Sequence, residues 1–256
     1  MSAEDPQTLP SGAKIRFSPL TAKQANILAA GAEKSTTSTL LLASCTAEVI
    51  DHGPYTKADN ANGFGWRRAL VGDRLAALLF IRALTYGPSY EFKVRCSLCP
   101  VKLDLFRWEV QIPADITIIP YPVETLIAFR EGARGVPVKL PDGRDAVAKI
   151  ITGEDEEEAQ EHARELAKEA EGKETTAMLA RLFLSVDGMP SRPELFEDVP
   201  FPLIPEYVDA ASAVFGGVET LIETACPRCG SEVPVQLPFG RGFFLPEKKS
   251  KRRSPG

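Results

Sequence analysis

Five cysteines are the residues whose types and spacing could do chemistry here, and four of them form two Cys-x-x-Cys pairs, Cys96/Cys99 and Cys226/Cys229. Two thiolates separated by two residues can reach one metal ion from a tight turn, while the turn's N–H groups point at the sulfurs. Two such turns supply the four soft ligands of a closed tetrahedral zinc site. CPRCG at 226–230 has the preferred form: Pro227 fixes the turn, and Gly230 tolerates a positive φ after the second cysteine. CSLCP at 96–100 departs from it, because Pro100 stands where glycine is usual and offers no N–H.

The interval between the pairs is unusual for a zinc ribbon, with 126 residues between Cys99 and Cys226. A single pair, however, holds only half the ligands of a structural site. The chain's two histidines, His52 in a Gly/Pro loop and His162 amid glutamates, read as solvated rather than as ligands. One structural zinc shared by Cys96, Cys99, Cys226 and Cys229 therefore explains more than two separate sites. It would tie distant stretches of chain together and supplement a core that 256 residues can build without staples. Two rival readings stay open. A thioredoxin-type dithiol places its pair at a helix start with a lowered thiol pKa, whereas both pairs here run into alternating, strand-like sequence. Unligated structural thiols are the other. Cys45, on an apolar run, reads as a small buried hydrophobe.

Nothing else in the chain competes with the cysteines. The phosphate-cradling GxxxxGK[ST] and GxGxxG loops, HExxH, GxSxG and the EF-hand loop are all missing from the sequence. Acid–base and nucleophilic chemistry leans on histidine and tuned carboxylates. The expectation is a binding protein and not an enzyme, since a closed four-thiolate site has no open coordination position.

The elements that must position the cysteines follow from periodicity. YEFKVRCSLCPVKLDLFRWEV (90–110) alternates apolar and polar residues on both sides of its pair, and so reads as strand, tight turn, strand. ETACPRCGSEVPVQLPF (223–239) repeats that arrangement. A helix from about Trp66 to Tyr86 is expected to be largely buried, because Leu75, Leu78, Leu79, Phe80 and Ile81 cover so much of its circumference. Further helices are expected at Leu20–Ala32 with Thr21 as N-cap, at Thr176–Val186 and at Pro205–Phe215, and a hairpin turn at LPDGR (140–144). Ser38–Ile50 fits helix or strand equally. The fold class is α+β, helices around two β-hairpins joined by a discontinuous four-cysteine zinc ribbon. Residues 1–18 read as a flexible arm, 19–246 as one globular domain, and 247–256 as a basic disordered tail.

Charge sorts the partners. Of the net −5, the stretch Glu154–Glu174 contributes −7, with ten acidic residues against Arg164, Lys168 and Lys173; it reads as a solvated helix. Phosphate binding needs a basic face, and only Arg67–Arg68, scattered cations and the EKKSKRRSPG tail offer one, so nucleic acid is not the expected partner. No apolar run approaches the roughly 18 residues that cross a bilayer. The polar, acidic MSAEDPQTLPSG start is unlike a secretory signal, which points to a soluble intracellular chain.

The pattern as a whole resembles the T4-type phage base-plate hub assembly protein family. VGDRLAALLFIRALTYG (71–87) and YEFKVRCSLC (90–99) look like that family's first half. DGRDAVAKIITGEDEEE (142–158), ARLFLSVDG (180–188) and ACPRCGSEVPVQLPFGRGFFLP (225–246) look like its second. The resemblance spans about residues 19–246 in order, with Pro100 and the Lys/Arg tail as departures. It implies a virion-assembly protein of a tailed phage or related injection machine, in the virion or in the host cytoplasm during assembly. Its partners would be other tail and base-plate proteins, with self-association left open and no catalytic residues. In that setting Phe239, Phe243 and Phe244, beside glycines, either insert into a partner's groove or fold back onto their own core. A nucleic-acid-binding zinc ribbon and a dithiol oxidoreductase are the alternative functions.

Overall fold

The computed structural model describes residues 2, 4–30, 36–55, 63–96, 105–163, 165, 171–238 and 241–244. Its first strands lie where an arm was expected. Ile15 and Phe17 alternate with Lys14 and Arg16, so one face of a strand is apolar. Accordingly β1 (Gln7–Thr8), β2 (Lys14–Phe17) and β3 (Thr46–Asp51) form an antiparallel sheet in that order. Leu9, Ala13, Ile15 and Phe17 are buried in the first core. The flexible-arm reading is therefore corrected for residues 7–17: two prolines hid a period-two pattern only four residues long.

Helix α1 (Ala22–Ala30) starts after Thr21, whose N–H donates to Gln24 Oε1 at 3.0 Å. The run that fitted helix or strand is both: α2 (Thr37–Cys45) passes directly into β3. At the junction Thr46 donates its hydroxyl to Leu42 O and accepts Trp66 Nε1–H at 2.8 Å. Helix α3 (Val71–Tyr86) begins five residues later than expected, because Leu70 is extended and bridges Thr152 while Trp66–Ala69 turn. It is buried along much of its length, as its composition required, against α2 and the first sheet.

Strands β4 (Ser89–Arg95) and β5 (Leu105–Gln111) form the expected first hairpin, in register from Ser89↔Gln111 to Arg95↔Leu105. Next come β6 (Ile118–Ile119) and α4 (Val123–Arg130). β7 (Gly135–Lys139) and β8 (Asp145–Lys149) flank LPDGR as expected, Leu140 N–H closing on Arg144 O at 3.0 Å. Helix α5 (Gly153–Glu161) opens on a capping box between Thr152 and Asp155.

The expected Thr176–Val186 helix is half right. Helix α6 (Glu174–Leu182) stops at Leu182, and β9 (Phe183–Val186) turns through Asp187–Gly188 into β10 (Met189–Pro190). Asp-Gly with both residues at positive φ (47° and 75°) is a two-residue hairpin turn, which favours a strand before it. The second sheet runs β10-β9-β8-β7, all antiparallel, and covers α6 and α7 (Ile204–Ser212) through Phe183, Phe196, Tyr207 and Val214. β11 (Gly217–Val218) pairs with β6, β12 (Leu221–Ala225) with β13 (Glu232–Gln236), and the short α8 (Arg241–Phe244) ends the described chain. The architecture is α+β with several small antiparallel sheets.

The acidic helix is not merely solvated. Glu157 is 3% exposed and accepts from Thr39 Oγ1 (2.5 Å) and Arg67 Nε (3.0 Å). Asp155 takes Lys149 at 2.6 Å and Arg134 at 2.9 Å, and Glu156 takes the buried Arg74 at 2.8 Å. Asp155 and Glu157 are thus buried in an ion network, while Glu156, which covers Arg74 from outside, is exposed along with Glu158 and Glu161. No helix among the described residues is long and apolar enough to cross a membrane.

Candidate metal centre

The two hairpins carry their cysteines at equivalent places. Cys96 follows the last residue of β4, and Cys226 follows the last residue of β12. The alternation that makes each strand amphipathic also aims the cysteines, for residues i and i+2 share a face. Val94 and Cys96 on one hairpin, and Cys226, Val233 and Val235 on the other, bury together with Phe92, Phe106 and Trp108 at their border. Apolar packing between hairpins thereby sets the distance between sulfurs.

In the second hairpin the turn closes as its sequence requires. Cys226 N–H donates to Ser231 O and Gly230 N–H to Cys226 O, both at 2.9 Å, and Gly230 sits at φ 70°. That conformation is open to glycine at no steric cost. The turn brings Cys229 back over Cys226, with Cys229 Sγ 3.4 Å from the Ser231 hydroxyl.

The sulfurs of Cys96, Cys226 and Cys229 all lie within 4.8 Å of one another, and Cys96 Sγ and Cys229 Sγ are 3.7 Å apart. A tetrahedron with Zn–S bonds of about 2.3 Å has S···S edges of roughly 3.8 Å. A disulfide would need about 2.05 Å. The spacing therefore matches thiolates around a common ion rather than a covalent pair. Cys96 and Cys226 are 4% and 3% exposed, and Cys229 is exposed. Three soft donors converging from two buried positions and one accessible one form a cluster that could hold a metal ion.

The chain matches no known protein family, curated protein or solved structure.

Of the four cysteines expected to share an ion, three converge, and Cys99 lies outside the described residues together with Pro100. Cys45 is a core residue, fully buried, its thiol pushed up by burial. His162 is exposed, with Nδ1 3.0 Å from Glu158 O; neither histidine joins the cluster. Phe239 lies outside the described residues. Phe243 is 1% exposed and packs on the chain's own Tyr90 and Phe244, while Phe244 is half-buried. Of the two expectations for that segment, folding back is the one Phe243 follows.

Sequence reading missed Ser231, the polar neighbour of Cys229, and also a buried polar knot at the start of α3. Asp73, 0% exposed, accepts from the Ser11 N–H (2.9 Å), the Ser11 hydroxyl and the Tyr55 hydroxyl (2.7 Å). Burial drives its carboxyl up to about 6 despite those donors. The available signal was an Asp-Arg pair inside a helix whose other residues demanded burial.

Proposed function

We propose that this chain is a structural or assembly protein that acts by binding other proteins, with one structural zinc held by Cys96, Cys99, Cys226 and Cys229. The observation that carries the reading is the 3.7 Å separation of Cys96 Sγ and Cys229 Sγ across two hairpins. Cys99 supplies the fourth thiolate through its two-residue spacing from Cys96, forming the ribbon of two knuckles that the sequence pattern implies. A site closed by four thiolates contributes folding free energy and fixes the hairpins relative to each other. Such a site offers no open position to a substrate.

The setting comes from the resemblance: a component of a tailed-phage base-plate hub, or a factor needed while that hub is built, partnered by other tail proteins in the virion or host cytoplasm. Two measurements test the reading. Metal content with thiols counted before and after chelator should give one zinc per chain and four thiols that react only once the metal is removed. Zinc-free protein with freely reactive thiols removes the ribbon. Disruption of the coding sequence in the genome that carries it should leave tails without complete base plates; normal infectious particles would discard the assembly role.

A further inference from the structure

We propose that the cleft between Tyr55, the C-terminal end of α4 and the N-terminal end of α5 binds a small aromatic phosphate, its ring against Phe129 and its phosphate between Arg130 and Arg134. The cleft encloses about 450 Å³. That is within the roughly 300–1,000 Å³ of small-molecule sites and more concave than a flat protein-docking face.

Its floor is rigid. The Tyr55 and Phe129 rings meet edge-on with centroids 5.4 Å apart, above the buried Ile150. The Tyr55 hydroxyl is already committed beneath them, donating to Asp73 at 2.7 Å and accepting the Leu70 N–H at 3.1 Å, so the ring cannot swing away. Apolar ring faces of this kind accept another aromatic ring edge-on or offset.

Its rim is cationic. Arg130 is exposed in the last turn of α4 and meets no carboxylate among the described residues. Arg134 gives Asp155 a single 2.9 Å bond, while Lys149 already neutralises that carboxylate at 2.6 Å. A guanidinium has five N–H donors, so Arg134 keeps most of them for a ligand. Glu154, the acidic residue lining the cleft, is paired with Arg67 at 2.8 Å. Arg67 is shared with the buried Glu157 at 3.0 Å, so what the cleft offers an anion is the Arg130 guanidinium and the remaining N–H donors of Arg134, whose planar forks match phosphate oxygens. These residues are not shared with the cysteine cluster, so the site stands or falls independently of the metal.

The test is calorimetric titration of the full chain with phenyl phosphate. Saturable binding is expected. Arg130→Gln and Arg134→Gln should each weaken it by about tenfold, and the exposed Lys93→Gln should leave it unchanged. Thermal unfolding of each variant, expected at the wild-type midpoint for Arg130→Gln, keeps loss of binding distinct from loss of fold. Inorganic phosphate should bind about tenfold more weakly for want of the ring. No saturation, or full affinity in both arginine variants, overturns the site. Equal affinity for inorganic phosphate overturns the aromatic part. A glutamate-rich peptide that displaces phenyl phosphate and binds more tightly would reassign the cleft to a protein partner.

Discussion

Cys96 Sγ and Cys229 Sγ lie 3.7 Å apart although 133 positions separate them in the chain. Contact at that sequence distance carries a large loop-closure cost, and here it is met first by packing. Val94, Val233 and Val235 are buried between the hairpins and would hold the sulfurs near one another before any ion arrives. An ion in such a site would then lock an arrangement that apolar burial has already favoured.

Cys226→Ser should therefore loosen the hairpin pair without unfolding the rest. The residue is 3% exposed; its cluster meets the core that includes Leu79 and Ala83 of α3 only through Phe92 and Trp108, and shares no residue with the core of the first sheet or that of the second. Urea unfolding should show a loss of several kcal/mol, with Trp108 fluorescence changing ahead of far-ultraviolet circular dichroism. Chelator should reproduce the wild-type-to-variant difference. Superimposable curves with and without chelator would count against a structural metal.

Asp73 sets a pH dependence of the opposite sign to an ordinary salt-bridged carboxylate. Its pKa rises from 3.8 to about 6 on folding, chiefly through burial. The groups facing it are the Ser11 and Tyr55 hydroxyls, with Tyr121 nearby, and no cation among the described residues pairs with it. Between pH 4 and 6, values bracketed by those two pKa values, the native state holds a proton that the unfolded chain has lost. This contribution to stability is complete below the unfolded pKa and fades as pH rises through the folded one, by about 2–3 kcal/mol. Asp73→Asn should abolish that slope. Urea midpoints for both proteins across this range would show it, and parallel pH profiles would refute it.

How much of this was legible beforehand depended on the range of the interaction. The hairpins at 90–110 and around Cys226 were visible because a strand's alternation and its turn residues are local signals. The strand Phe183–Val186 was lost to a helical reading because TAMLARLFLSV is apolar at either period; only Asp187–Gly188, read as a hairpin turn, could have separated them. Glu157 looked like one more solvated glutamate because its partners, Arg67 and Thr39, are 90 and 118 positions away. The metal cluster fell between these cases: spacing within each pair suggested it, and only the packing of one hairpin on the other could bring the pairs together.

Gly153→Ala should destabilise the protein even though alanine is the better helix former by about 1 kcal/mol. A Cβ at Gly153 would run into the guanidinium of Arg74. That group cannot retreat: it is buried and bonds Trp66 O (2.5 Å), Thr39 Oγ1 (2.8 Å), Ser38 Oγ (2.9 Å) and Glu156 (2.8 Å). The net loss should be about 1–3 kcal/mol, as for an overpacked core. The cost should largely vanish in an Arg74→Ala background, where the space is vacated. An equal penalty in both backgrounds would place the clash elsewhere.

Phe243→Ala tests how the C-terminal segment is held. The ring is 1% exposed, edge-on to Tyr90 at 4.9 Å, and 5.5 Å from the Arg82 guanidinium. Around it, Tyr90 donates to Pro238 O (3.1 Å) and Tyr86 to Phe244 O (2.6 Å), so two phenols from one side strap the segment down. Losing a buried phenylalanine costs about 3–5 kcal/mol when the whole fold depends on it. A terminal segment can instead detach, which caps the loss at the free energy of detachment. The urea midpoint should thus move little, while tryptic cleavage after Arg241 should accelerate by about tenfold or more. A full core-sized loss of global stability with unchanged cleavage would mean that the segment is integral to the fold rather than strapped onto it.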